Sequence, residues 1–219
     1  MTGEIRCLPA FKKSEDRTSL RIELEGNESA FIVFREWEKA TETKATETMN
    51  NYPASETIHR IDTPWTVTFE TGKRGPDTPI VLPQLIDWAH SENDSIKYFS
   101  GQAVYTTTFR LKELPQQSLY LDLGKVMVMA KVSLNGYYVG GVWTAPYRVN
   151  VTDLLKAGEN KLEITVVNNW QNRLIGDQHL PEDQRPTWTV FNPWKADSPL
   201  QASGLLGPVE IQAFSYFRK

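Results

Sequence analysis

The sequence predicts an all-β fold, a sandwich or barrel of short strands. Three observations predict it. Apolar residues alternate with polar ones in segments that recur about every ten residues. Gly, Pro and Asn-Gly punctuation separates these segments. No alternation of strand-like and helix-like stretches is present, which argues against a parallel, doubly wound sheet.

Taken in order, Ser19 to Leu24 alternates with Leu20, Ile22 and Leu24 on one face, and Ala30 to Phe34 is a short apolar run. Gly26-Asn27 lies between them, so the pair reads as a hairpin. Glu38 to Pro53, EKATETKATETMNNYP, is polar and nearly repetitive, and reads as a linker. A surface helix is the alternative there, weakened by the threonines and the absence of an apolar stripe. A larger unit starts near Ile58. Trp65, Val67 and Phe69 alternate with threonines as in a half-buried strand, and Leu85 to Ala89 suits a helical turn. Ala103 to Leu111 puts Tyr105, Thr107 and Phe109 on the core face and Arg110 outside. Ser118–Leu123, Met127–Leu134, Tyr137–Trp143, Arg148–Val151, Lys161–Val167 and Val209–Phe214 complete the strands. Asn135-Gly136 joins two of them, and both residues tolerate the positive φ of a type I′ turn. Thr152 is placed to cap a single helical turn, Asp153 to Lys156, ended by Gly158. The chain thus divides into a strand pair (1–37), a linker (38–56) and a large β domain (57–219).

Composition narrows the function classes. The chain has 219 residues, 23% charged and 40% hydrophobic, enough to bury a core without disulfides or metal. The net charge of −3 comes with no basic stripe, so nucleic acid is a poor partner. Cys7 is the single cysteine and excludes an internal disulfide. The opening MTGEIRCLPAFKKSED lacks the apolar run of a signal peptide, and no stretch approaches the roughly 20 apolar residues that span a bilayer. There is no G-x-S-x-G elbow and no phosphate-cradling loop. His59, His90 and His179 are scattered without ligand spacing, and Asp87, Glu92, Asn93 and Asp94 read as a polar turn, so no metal or cofactor is expected.

The segment Leu119 to Trp170 carries an ordered set of motifs: Val132 to Gly136 (VSLNG), Gly140-Gly141, Pro146-Tyr147, Val151 to Leu155 (VTDLL), Gly158 to Asn160 (GEN) and Val166 to Asn168 (VVN). In this order they resemble the sugar-binding domain of the family 2 glycoside hydrolases. That resemblance implies a galactose-binding-like jelly-roll β-sandwich. Asn168 to Ile211, with NRLIGD at Asn172–Asp177 and SGLLGP at Ser203–Pro208, resembles the C-terminal region of family 106 glycoside hydrolases, the α-L-rhamnosidases. The stretch from Gly3 to Glu36 is similar to the tail of the β domain that precedes it in those enzymes. The resemblance implies a non-catalytic accessory domain whose partners are carbohydrate and a catalytic barrel absent from this chain. It implies a bacterial parent enzyme that is periplasmic or secreted, and leaves room for a structural calcium as in related sandwiches.

Seven tryptophans are the most informative count. Trp88, Trp143, Trp170, Trp188 and Trp194 sit near turn residues, where an aromatic face either covers the core or stacks on a sugar ring. Trp143, Tyr147, Trp170, Asn172, Arg173, Asp177, Trp188 and Trp194 are the candidate carbohydrate-binding residues: aromatic platforms beside groups that hydrogen-bond hydroxyls. Arg173 and Asp177 are also expected to pair and pin a long loop. Two rival readings stand beside this one. Asp177, Glu182 and Asp183 supply carboxylates for a glycosidase active by itself, which needs two of them about 5–10 Å apart. Alternatively the chain is a protein-interaction module, using exposed aromatics or an unpaired strand edge.

Overall fold

The computed structural model describes residues 8, 10–24, 26, 28–34, 51–52 and 54–215. A hairpin, β1 (Phe11–Ser14) and β2 (Arg17–Leu20), opens the described chain, with Ser14 opposite Arg17 across a two-residue turn. This corrects the expected pairing of Ser19–Leu24 with Ala30–Phe34: residues 21–24 and 28–34 form no strand, and Asn27 of the expected turn lies outside the described residues. Alternation signals a strand only where there is a face to bury, and Ile22, Leu24 and Phe31 remain exposed. Asn51, placed by the sequence in the linker, instead binds this segment. Its side chain accepts from Ala10 N and donates to Ala10 O, both at 2.8 Å. Residues 38–50 and 53 of that linker lie outside the described residues, and its last three, 54–56, already belong to a strand.

The sandwich comprises β3 (Ala54–Arg60), β4 (Trp65–Phe69), β5 (Ile80–Leu82), α1 (Asp94–Lys97), β6 (Gln102–Leu111), β7 (Ser118–Asp122), β8 (Lys125–Met127), β9 (Met129–Leu134), β10 (Tyr137–Val142), β11 (Arg148–Asn150), β12 (Gly158–Val167), α2 (Gln171–Asp177), β13 (Gly204–Gly207) and β14 (Glu210–Ser215). One sheet has the order β10-β9-β12-β6-β4-β5 and the other β11-β7-β14-β3, all antiparallel, with β13 and β8 forming a separate pair. The two-residue period of each strand sends one face inward. Ala103, Tyr105, Phe109 and Leu111 of β6, Leu162, Ile164 and Val166 of β12, and Val132 and Leu134 of β9 meet Leu119, Leu121 and Ile211 of the other sheet in one core. Each fully buried Leu, Ile or Phe contributes about 1.5–3 kcal/mol. Burial pushes the Tyr105 hydroxyl well above its usual pKa, and that hydroxyl accepts a hydrogen bond from Leu205 N.

Local chemistry sets the joints. Asn135 and Gly136 have φ of 54° and 86°, the positive values of the expected type I′ turn. The expected strand Met127–Leu134 is two strands, because β8 leaves the large sheet to pair with β13. The helical turn expected over Leu85–Ala89 is a 3-10 turn at Trp88–His90, where the Asp87 side chain caps Ala89 N. Thr152 does not cap a helix. Asn150 Oδ1 accepts from Thr152 N, and the Thr152 hydroxyl accepts from Leu119 N, tying the turn to β7. Gly158, at φ 90°, begins β12 rather than ending a helical turn.

Trp88, read from sequence as a loop aromatic, is fully buried. It packs on Phe69, Phe99 and Tyr105, and its backbone N donates to Ser203 O. Gly204 follows at φ 96°, and a methyl group there would sit 2.7 Å from Trp88 Cε2. Gly204→Ala therefore combines a strained φ with a clash against an immobile ring, and destabilises by about 3 kcal/mol. Thermal melts of the two proteins read this as a drop of roughly 6–12 °C.

Candidate functional site

Phe69, Ala103, Val166, Ala130 and Val142 form one register row across β4, β6, β12, β9 and β10. Beyond this row lie the loops that carry most of the sequence-predicted site: 143–147 after β10, 168–203 after β12 and 97–101 before β6. Asn168 fastens them together. Its Oδ1 accepts from Gly101 N at 2.9 Å, and its Nδ2 donates to Phe99 O at 2.7 Å and Ser203 Oγ at 2.8 Å. Asp87 Oδ1 adds a second tie by accepting from Ser203 N.

The long loop opens with α2, seven residues whose side chains from Asn172 to Asp177 are buried. The expected Arg173–Asp177 pair is present at i, i+4. Arg173 Nε and Nη2 converge on Asp177 Oδ1 at 2.7 and 2.6 Å. Asp177 Oδ2 accepts from Thr187 N at 3.2 Å and from the Thr187 hydroxyl. A single buried carboxylate thus holds α2, the guanidinium and the far limb of the loop. Asn172 works the same way on backbone: its Nδ2 donates to Gln201 O and its Oδ1 accepts from Gln201 N. Gly176 lies against the Tyr98 ring, and a methyl group there would approach Tyr98 Cγ to 2.5 Å.

The aromatic candidates are placed differently. Trp143, Trp170 and Trp188 are 64, 61 and 82% exposed, while Tyr147 and Trp194 are half-buried. The Tyr147 carbonyl accepts from Leu123 N. The fold therefore divides the eight candidates in three. Asn172, Arg173 and Asp177 turn inward and brace the loop; Trp143, Trp170 and Trp188 present apolar faces to solvent, with Tyr147 and Trp194 only partly exposed. Asn168, Asp87 and Ser203, which organise this end, were missed because their function depends on distant backbone partners. The terminal Asn of the VVN motif and the leading Ser of SGLLGP were the visible signals.

The carboxylates do not assemble into an enclosed pair. Asp177 is buried in its ion pair, whereas Glu182 and Asp183 are exposed on a 3-10 turn, Glu182–Gln184. Among the described residues, no three His, Cys, Asp or Glu side chains are grouped to hold a metal ion. No helix among them is long and apolar enough to cross a membrane.

The family model for the glycosyl hydrolase 2 galactose-binding domain-like proteins matches residues 87–197. The chain belongs to this family. In an alignment 154 positions long that covers 58% of the chain, this galactose-binding-like chain is 43% identical to a Formosa agariphila protein named "Putative beta-glucuronidase". It also matches the solved structure of a rhamnosidase from Novosphingobium sp. PP1Y, with 38% identity over 93% of the chain and a TM-score of 0.80. A β-glucuronidase from Ruminococcus gnavus shares the fold, with a TM-score of 0.51 at 18% identity over 76% of the chain and 30% of that protein. The chain spans 13% of the Formosa protein and 19% of the Novosphingobium rhamnosidase.

Removing the Asp177 carboxylate strands a buried guanidinium and frees Thr187. Asp177→Ala is expected to cost about 3–5 kcal/mol, and Asp177→Asn less, since an acceptor remains. Chemical denaturation checks both. An unchanged midpoint in Asp177→Ala contradicts the bracing role.

Proposed function

We propose that the chain is a non-catalytic accessory region of a larger glycoside hydrolase, and that its exposed tryptophans contact carbohydrate. The observation that carries this reading is the extent of the match to the rhamnosidase: nearly all of this chain corresponds to under a fifth of that enzyme. Its name favours a rhamnose-containing substrate and supports the likeness to the family 106 enzymes. A catalytic barrel is the natural partner, and polysaccharide degradation outside the cytoplasm, in the periplasm or medium, the natural setting.

The N-terminal segment supports a larger assembly on physical grounds. Phe31 and Phe34 are 92 and 72% exposed, beside exposed Ile32 and Val33. A run of this kind has no core of its own, and contiguous apolar surface marks a contact. This favours the interaction reading in one specific form, contact with the remainder of the enzyme. At the loop end, Trp143, Trp170 and Trp188 offer flat apolar faces suited to the C–H surface of a pyranose, while the inward-facing Asn172, Arg173 and Asp177 hold the loop that presents two of them.

Two measurements test this. The purified chain is expected to release no nitrophenol from aryl rhamnosides, galactosides or glucuronides. Release that disappears in Glu182→Gln or Asp183→Asn establishes the rival, a self-sufficient glycosidase. Titration with rhamnose, galactose or pectic oligosaccharides is expected to change tryptophan emission at millimolar sugar, with the change lost in Trp170→Ala and Trp188→Ala. Constant emission at tens of millimolar contradicts carbohydrate contact at this end.

A further inference from the structure

A second cleft lies at the opposite end of the sandwich, between the two edge strands β10 and β11. It is lined by Ser118 at the start of β7, Tyr138 and Val139 of β10, and Asn150 to Leu154. Its volume, about 390 Å³, falls in the range of about 300–1,000 Å³ typical of small-molecule sites. The β10 wall of the cleft carries a β-bulge. Tyr138 pairs with Ser133 and Gly140 with Val132, so Val139 is an extra residue that breaks the alternation. Tyr138, opposite Ser133 on the outer face just before the bulge, is 66% exposed.

The wall opposite Tyr138 is polar and fixed. Asn150 Oδ1 is occupied by Thr152 N at 3.0 Å and the Thr152 hydroxyl at 2.7 Å, which orients the amide and leaves Nδ2 as a donor. Thr152 is itself anchored to Leu119, and Leu154 O accepts from Asn135 Nδ2 at 2.8 Å. Among the described residues, no hydrogen bond or ion pair engages the Asp153 carboxylate or the Ser118 hydroxyl. The hydrogen-bonded turn thus presents a carboxylate and an amide donor, and the start of β7 a hydroxyl, beside an aromatic face. The carboxylate accepts from two neighbouring hydroxyls at once, and the ring takes the C–H surface of a pyranose. The lining holds one carboxylate and no cation, which disfavours acidic sugars.

We infer that the Tyr138–Asp153 cleft is a carbohydrate-binding site selective for neutral sugars. It is separate in residues and position from the tryptophan loops and does not depend on their role. Tyr138 is the stacking platform, Asp153 and Asn150 are the hydroxyl partners, and the bulged Val139 lines the floor between them. Preorganisation by Thr152 and Asn135 limits the ordering cost of binding.

Heteronuclear NMR titration of the full chain with methyl α-L-rhamnoside, methyl β-D-galactoside and methyl β-D-glucuronide tests the proposal. Saturable shifts are expected at the amides of Tyr138, Asn150 and Asp153 with a neutral glycoside, and weaker ones with the glucuronide. Tyr138→Ala is expected to weaken binding about tenfold. Asp153→Asn is expected to narrow the preference for neutral over acidic sugar. Both positions are exposed, and melting temperatures within a few degrees of the parent confirm intact folds. Shifts confined to the indole N–H signals of Trp143, Trp170 and Trp188 overturn the cleft while leaving the loop-end reading intact. No shift at Tyr138, Asn150 and Asp153 at tens of millimolar, an affinity unchanged in Tyr138→Ala, or an Asp153→Asn preference identical to the parent's also overturns it.

Discussion

The side chains of Asn135 and Asn160 form the joint on which the sandwich depends. Asn135 sits in the β9–β10 turn and Asn160, fully buried, near the start of β12. Asn135 Nδ2 donates to Asn160 Oδ1 at 3.0 Å and to Leu154 O, and its Oδ1 accepts from Lys161 N. Asn160 Oδ1 also accepts from Lys156 N, while its Nδ2 donates to Lys156 O and Gly158 O. Three chain segments meet at two amides, and every polar atom of both is used. A buried amide is costly unless satisfied in this way, so the arrangement specifies one geometry rather than merely adding stability. It also explains a sequence pattern: the LNG, VTDLL and GEN motifs occur together because each supplies one side of the joint.

The same device recurs at the other end. Asn168 bridges Phe99, Gly101 and Ser203, and Asp177 gathers Arg173 and Thr187. Polar side chains that resemble ligand contacts in sequence are largely consumed in holding loops. The proposed recognition rests instead on groups the scaffold leaves exposed: Trp143, Trp170 and Trp188 of the loop end and, at the far end, Tyr138 with the turn that Asn135 steadies. Among the described residues, the one fully buried carboxylate, Asp177, is paired with Arg173.

Much of the fold was legible because alternation and turn chemistry are local. The strands β4, β6, β7, β9, β10, β12 and β14 follow from a two-residue period, and Asn135-Gly136 from the positive φ that its turn requires. What failed was non-local. Ile22, Leu24 and Phe31 alternate or cluster like strand residues but have no face to cover. β5 and β13 are too short to show a period, and α2 carries Gly176 and lacks a side-chain cap. Trp88 looked like a loop aromatic because its partners, Phe69, Phe99, Tyr105 and Gly204, are spread over the chain. Arg173 and Asp177 were paired correctly from their spacing, whereas the attachment of Thr187 to the second oxygen required the loop's path.

The central claim is that Asn135 and Asn160 act as one unit. A double-mutant cycle measures this directly, using Asn135→Ala, Asn160→Ala and the double variant in chemical denaturation. Coupling between the two sites of about 1–3 kcal/mol is predicted, because either single change already dismantles the shared network. Additive losses within about 0.5 kcal/mol would show that the two amides stabilise the fold independently, and would contradict the account.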